Sequence, residues 1–244
     1  MFLWSLTRID WGSGLVQARG LASVGQFAVA LLRVDLTPYV VSSALRASWV
    51  TVTYAFAGLS VALALGLPLG VIGSGVLARR IRSRTLSVLL GRFALASMRS
   101  VHELVWAWLF VASFGLSPIA AVLALAIPYG GILGRIFSEL LQDVSGPPLR
   151  ALRASGASEW QILLYGRFPM ALPDLLSYTF YRLECGIRSA AIMSFVGLGG
   201  LGHQIQLALD DLAYERVWTF LLFLIVLVVL VDVWSTSVRR RITQ

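Results

Sequence analysis

The chain of 244 residues contains no lysine; all 20 of its basic residues are arginines. A phosphate-binding loop of the form G-x-x-x-x-G-K-[ST] relies on its lysine to reach the β and γ phosphates, so this polypeptide cannot furnish a standard nucleotide-hydrolysing site. Cysteine is nearly absent as well. Cys185 stands alone, which excludes an intramolecular disulfide and a cysteine-built metal site. The two histidines, His102 and His203, have no companions at ligand spacing, and neither a metal nor another cofactor is expected. The start, Met1 to Trp11, lacks the basic region, long apolar stretch and small-residue cleavage site of a removable signal peptide. Charged residues make up only 13% of the chain, against ~25% in soluble domains.

Apolar length takes the place of charge. Hydrophobic residues make up 58% of the sequence and mean hydropathy is +0.81. Ala47 to Ala78, Leu104 to Gly134 and Val217 to Val231 carry no ionisable Asp, Glu, Arg or His, and ~20 apolar residues suffice to cross the bilayer as a helix. The pattern predicts spans at Ser43–Leu77, Leu86–Ser113, Ile119–Leu141, Asp174–Val196 and Val217–Val238, with Gly115 to Pro118 reversing the chain between the second and third. Gly20 to Leu32, bracketed by Arg19 and Arg33, is too short to span and reads as an interfacial helix within a tail of residues 1–42. The fold class is therefore an all-α integral membrane protein with about five transmembrane helices, or six if a further span precedes Met1.

The net charge of +8 is distributed between the apolar runs. Arg79, Arg80, Arg82 and Arg84, then Arg150, Arg153 and Arg167, then Arg239 to Arg241 mark loops on the inner side. Base-stacking aromatics are not interleaved with them, so nucleic acid is not an expected partner. This threading leaves the amino terminus outside, with Arg8, Arg19, Arg33 and Arg46, against the usual bias.

The inner segment 143–173 is polar and rich in turn signals. Pro147 and Pro148 suit a first helical turn, Gly156 can end that helix, and Ser158 with Gln161 can form a capping box for the next. An ordinary connecting loop is the plain alternative. The stretch resembles the coupling motif of ATP-binding-cassette importer permeases, Glu-Ala-Ala, three residues, Gly, then a helix closing in Leu-Pro. Ala151, Gly156 and Pro169 hold matching places, while Arg150 replaces the glutamate, Leu152 the second alanine and Phe168 the leucine. The resemblance implies that the helix before Gly156 docks into an ATPase subunit, that Ala151 and Ala154 permit close approach, and that Pro169 ends the second helix.

From about Trp49 onward the chain is similar to permeases of phosphonate importers, through Arg99 to Trp106, Tyr178 to Ile192 and Val196 to Gly202. That similarity implies a type I importer transmembrane domain over residues 43–244, in the bacterial inner membrane, working by alternating access on a phosphonate-class oxyanion. It also implies partners: two copies of an ATP-binding subunit, a periplasmic or surface substrate-binding protein, and a second copy of the chain, all set in membrane lipid.

Two groups of ionisable residues fall inside predicted spans, where each charge costs at least ~2.5 kcal/mol. Glu184 and Arg188 are four apart and can pair on one helix face, whereas Arg182 needs another partner. Arg99 stands at helical spacing from His102 and Glu103. These six residues either line a translocation path or form structural pairs. Gly197, Gly199, Gly200 and Gly202 match G-x-G-x-x-G but follow a span instead of a strand, so a flexible gate or docking loop is expected and not a dinucleotide site. A stand-alone channel or ion-driven carrier is the rival function. An intramembrane enzyme is disfavoured because no nucleophile–base pair is evident.

Overall fold

The computed structural model describes Trp4, residues 18–78 and residues 81–242. Arg79, Arg80 and, apart from Trp4, the segment read for a signal peptide lie outside them. The order is α1 (Ala18–Ala30), α2 (Pro38–Ser74), α3 (Ile81–Ser100), α4 (Glu103–Phe114), α5 (Pro118–Asp143), α6 (Gly146–Ala154), α7 (Glu159–Ile162), α8 (Phe168–Met193), α9 (Leu201–Asp210) and α10 (Tyr214–Ile242). A π turn, Leu163–Arg167, joins α7 to α8 without a break. All regular structure among the described residues is helical.

Three of these helices, α2, α5 and α10, are individually long and apolar enough to cross a membrane, and the segment from α7 through α9 makes a fourth with a 41° bend. Pro38 opens α2 and Pro118 opens α5, where a missing N–H costs nothing. Ser117 caps α5 by accepting from Ala120 N at 3.4 Å, so the expected hairpin at Gly115 to Pro118 is in place.

Helix α5 forms the centre and α10 the periphery: 61% of the α5 span is buried against 17% of the α10 span. Without water to drive apolar helices together, close backbone packing must hold them. Gly66 and Gly70 of α2 meet Gly130 and Gly134 of α5; a Cβ on Gly66 would stand 2.7 Å from Gly130 O, and one on Gly70 2.8 Å from Gly134 O. Leu59, Leu125, Leu133, Phe137 and Leu183 fill the space around this contact.

Two expectations need correcting. The second span is not continuous: the chain leaves helical conformation at Val101 and His102, and α4 starts afresh at Glu103. His102 (φ −66°, ψ 146°) caps α4 by accepting from Leu104 N at 3.3 Å, and an acidic residue follows in the first turn, where the helix dipole favours it. Pro169, expected to end a helix, lies near the start of α8, and Pro173 is also inside α8. The widened turn just before Pro169 absorbs the register change that a proline ring imposes.

Candidate functional site

On the inner side, α6 and α7 form a small unit around Gly156. Its φ of +86° ends α6, with Gly156 N bonded to Arg153 O and Ala157 N to Leu152 O, both at 3.0 Å. Ser158 and Gln161 complete the capping box. Arg153 donates from Nε and Nη2 to both carboxylate oxygens of Glu159, at 3.1 and 3.0 Å, which locks the angle between the helices and holds the Arg153 guanidinium above its ordinary pKa. Gly166 admits Leu149 and Leu152, each of which would be 2.9 Å from an added Cβ. Arg167 bonds to the Leu141 carbonyl, tying the unit to the end of α5.

Leu152 leans into this unit, whereas Arg150, Ala151, Ala154 and Gly156 are exposed. Beside them stand Trp160, Leu164 and Tyr165, exposed by 59%, 55% and 76%. An apolar face of this kind on a polar segment is suited to a protein partner.

Inside the bundle, polar side chains from three helices join. Tyr129 of α5 donates its hydroxyl to Ser189 Oγ of α8 at 3.0 Å, and Ser189 donates to Glu103 Oε1 of α4 at 2.7 Å. His102 Nε2 lies 3.7 Å from the other Glu103 oxygen. Glu103 stands 11 residues from the outer end of α4, so it sits ~17 Å below the hairpin, near the middle of a ~30 Å hydrocarbon core. The helix break therefore lies at mid-depth, and His102 there keeps 63% of its side chain exposed. Irregular backbone at this depth is tolerated only where it is buried or lines a water-filled cavity.

About two turns inward along α8, Arg182 continues the chain. Its Nε and Nη2 donate to Tyr178 OH at 3.0 and 2.8 Å, and its guanidinium lies 5.2, 5.6 and 5.9 Å from the ring centres of Tyr178, Tyr181 and Tyr129. Among the described residues it makes no ion pair. The aromatic faces stabilise the cation without neutralising it.

Glu184 accepts from Arg188 Nη2 at 3.0 Å and lies 3.9 Å from Arg239 Nη2. Arg188 keeps about half of its side chain exposed (52%). Glu184→Gln should lower stability by ~1–2 kcal/mol, less than the ~3–5 of a fully buried pair, and Glu184→Gln/Arg188→Gln should be milder. Equal melting losses for the single and double variants in detergent would show that the pair contributes nothing. Arg99 takes no part in the Glu103 network. It is exposed on α3, and the break at Val101 removes the helical spacing that the sequence suggested.

The glycine loop packs against α2. Gly197, Gly199 and Gly200 have φ of +91°, +82° and +94°, conformations that other residues rarely adopt. Tyr54 OH donates to Leu198 O, and Leu201 N donates to Thr51 Oγ1, both at 3.0 Å. Gly202 serves contact instead of conformation, since its Cβ would overlap the Ala191 carbonyl oxygen.

Tyr129, Ser189 and Tyr178 escaped the sequence reading because none is charged. The run Pro128-Tyr129-Gly130-Gly131 in mid-span was the available signal. Among the described residues no cluster of three His, Cys, Asp or Glu could hold a metal ion.

Comparison with known proteins gives this arrangement its context. Residues 62–244 match the family described as binding-protein-dependent transport system inner membrane component. The phosphite transport system permease protein PtxC of Stutzerimonas stutzeri is 31% identical over 234 residues, which is 94% of this chain and 83% of that one. The phosphate-import permease protein PhnE of Mycolicibacterium smegmatis is 27% identical over 192 residues, 79% of this chain and 35% of that one. In fold, the chain is similar to a subunit of the MetNI methionine ABC transporter in an inward-facing conformation, with a TM-score of 0.73 at 21% identity, covering 86% of this chain and 100% of that one.

Proposed function

Because the chain belongs to the family of binding-protein-dependent transport system inner membrane components, transport permeases of the bacterial inner membrane and not enzymes, we propose that two copies of it enclose a path for a phosphonate-class oxyanion. Phosphite and phosphate are the members of that class that its relatives' names point to. Two ATP-binding subunits drive the cycle from the inner side, and a substrate-binding protein delivers the anion outside. The observation that carries this reading is the helix break at Val101–His102, at mid-depth beside the Glu103–Ser189–Tyr129 chain. Arg182 supplies the positive charge that an oxyanion needs, and Arg99 adds to it, whereas Arg188 is paired with Glu184.

Arg150, Ala151, Ala154 and Gly156 form the docking face for the ATP-binding subunit, with Leu152 holding that face against Gly166. The clamped loop from Gly197 to Gly202 serves as a stiff outer elbow between α8 and α9, and Pro169 fixes the start of the helix that carries the stroke inward.

Reconstitution with the ATP-binding subunit and the binding protein, followed by ATP-dependent uptake of phosphonate, phosphite, phosphate, methionine and betaine, tests the reading. Uptake of a phosphorus oxyanion is expected, and accumulation of methionine or betaine alone would overturn it. Gly156→Val should lower uptake per ATP hydrolysed several-fold. Nothing lies within 4 Å of the added Cβ, so the penalty is purely that of a β-branched residue at φ +86°. Gly156→Asn, which tolerates that conformation, should remain coupled. Equal coupling in the valine variant and wild type would remove the role given to this turn.

A further inference from the structure

On the inner side, a cleft of about 560 Å³ opens between α3 and the ends of α2 and α5. Arg84 and Arg92 line it together with Thr85, Val88, Leu89 and Gln142. No Asp or Glu does. Asp143, the next residue along α5, faces a separate cavity with Ser145 and Met170. Gln142 spends its amide on Ser74 O at 3.1 Å, closing the end of α2. Arg92 Nε is enclosed and has no hydrogen-bond partner among the described residues. Among the described residues neither arginine forms an ion pair, and two arginines with no carboxylate in the lining give the cleft a positive charge.

The outer surface of α3 continues this cleft with an apolar stripe. Leu86, Leu89, Leu90 and Phe93 are exposed by 57%, 64%, 58% and 72%, and their spacing places them on one helix face. Leu89 belongs to both the stripe and the cleft. A positively charged hollow at the inner membrane surface, opening onto a lipid-facing hydrocarbon strip, has the shape and polarity of a phospholipid. A second copy of the chain is a poorer occupant, because a two-fold contact would bring this arginine-lined patch against itself.

We propose that this cleft binds the headgroup of an anionic phospholipid of the cytoplasmic leaflet, its acyl chains lying along Leu86, Leu89, Leu90 and Phe93. The phosphodiester accepts from the guanidinium groups of Arg84 and Arg92, and the glycerol hydroxyls lie toward Thr85. The test of this site does not depend on the substrate assignment.

Binding to the detergent-purified full chain, measured by native mass spectrometry with phosphatidylglycerol and phosphatidylcholine as probes, tests it. Wild type should retain phosphatidylglycerol preferentially. Arg84→Gln/Arg92→Gln should bind it about thirtyfold more weakly, the effect of losing two arginine charges at a headgroup. Arg84→Lys/Arg92→Lys should keep most of the affinity, and Arg240→Gln, an exposed arginine at the inner end of α10, should behave as wild type. Wild type should also melt at a higher temperature with phosphatidylglycerol than with phosphatidylcholine, a result that does not depend on any variant folding. Equal retention of the two lipids, an equal loss in Arg240→Gln, or displacement of the lipid by millimolar inorganic phosphate would overturn the proposal.

Discussion

Gly66→Leu should remove most of the protein from the membrane fraction, and Gly66→Ala should lower its melting temperature markedly. On its own, glycine to alanine within a helix gains about 1 kcal/mol of propensity. Here the added Cβ meets backbone on the opposite helix, Gly130 O at 2.7 Å and Gly134 N at 3.1 Å, and neither atom can turn aside as a side-chain tip would. Helices α2 and α5 must then separate along their length, giving up the close contacts around Leu125 and Leu133 that hold them. That loss exceeds the propensity gain, and leucine extends the clash by three more carbons. Overpacking of this kind costs ~1–3 kcal/mol for smaller intrusions and more for larger ones. Melting of purified Gly66→Ala at or above the wild-type temperature would show that the two helices are not held by this contact.

Arg182→Gln should weaken transport of a phosphorus oxyanion by about 100-fold, the loss of roughly two charge-assisted hydrogen bonds from guanidinium to the anion. The arginine rests on three tyrosine rings and a tyrosine hydroxyl, partners that support a cation without neutralising it. Arg182→Lys should recover part of the activity, because charge is kept and the planar two-point contact is lost. Because Arg182 is partly exposed, the glutamine variant should assemble and melt close to wild type. The decisive comparison is between uptake and assembly: a glutamine variant with wild-type uptake excludes Arg182 from the path, whereas parallel loss of uptake and of folded protein makes the residue structural.

What the sequence disclosed follows the range of the interaction that determines each feature. The capping box at Ser158 and the positive φ of Gly156 depend on neighbours a few residues away, and local signals predict them, whereas α2 and α10 each begin several residues before the apolar stretch that announced them. The break at Val101–His102 is also local, but averaging apolarity across Leu86 to Ser113 hides a cap formed by one side chain. Pro169 reads as a terminator because nothing in its immediate neighbourhood announces the π turn that accommodates it. The Tyr129–Ser189–Glu103 chain joins residues 60 and 86 positions apart and arises only when three helices pack. The paired glycines of α2 and α5 stood in the sequence at the spacing known for close helix contacts, yet which pair meets which is decided by the folded bundle.

From Glu159 to Met193 the chain runs as one helical rod that widens at the π turn Leu163–Arg167, where Phe168 N reaches back to Leu163 O. That place lies at the inner end, beside the exposed face around Gly156. Mechanically the rod is a lever with a very short arm on the inner side and the 26 residues of α8, ~39 Å, on the other. A tilt of about 10° about such a pivot carries the far end by about 7 Å, whereas the short arm moves little. The displacement from any tilt about that pivot would therefore be small at Pro173 and largest near Ser189 and Met193, where the 2.7 Å bond to Glu103 lies.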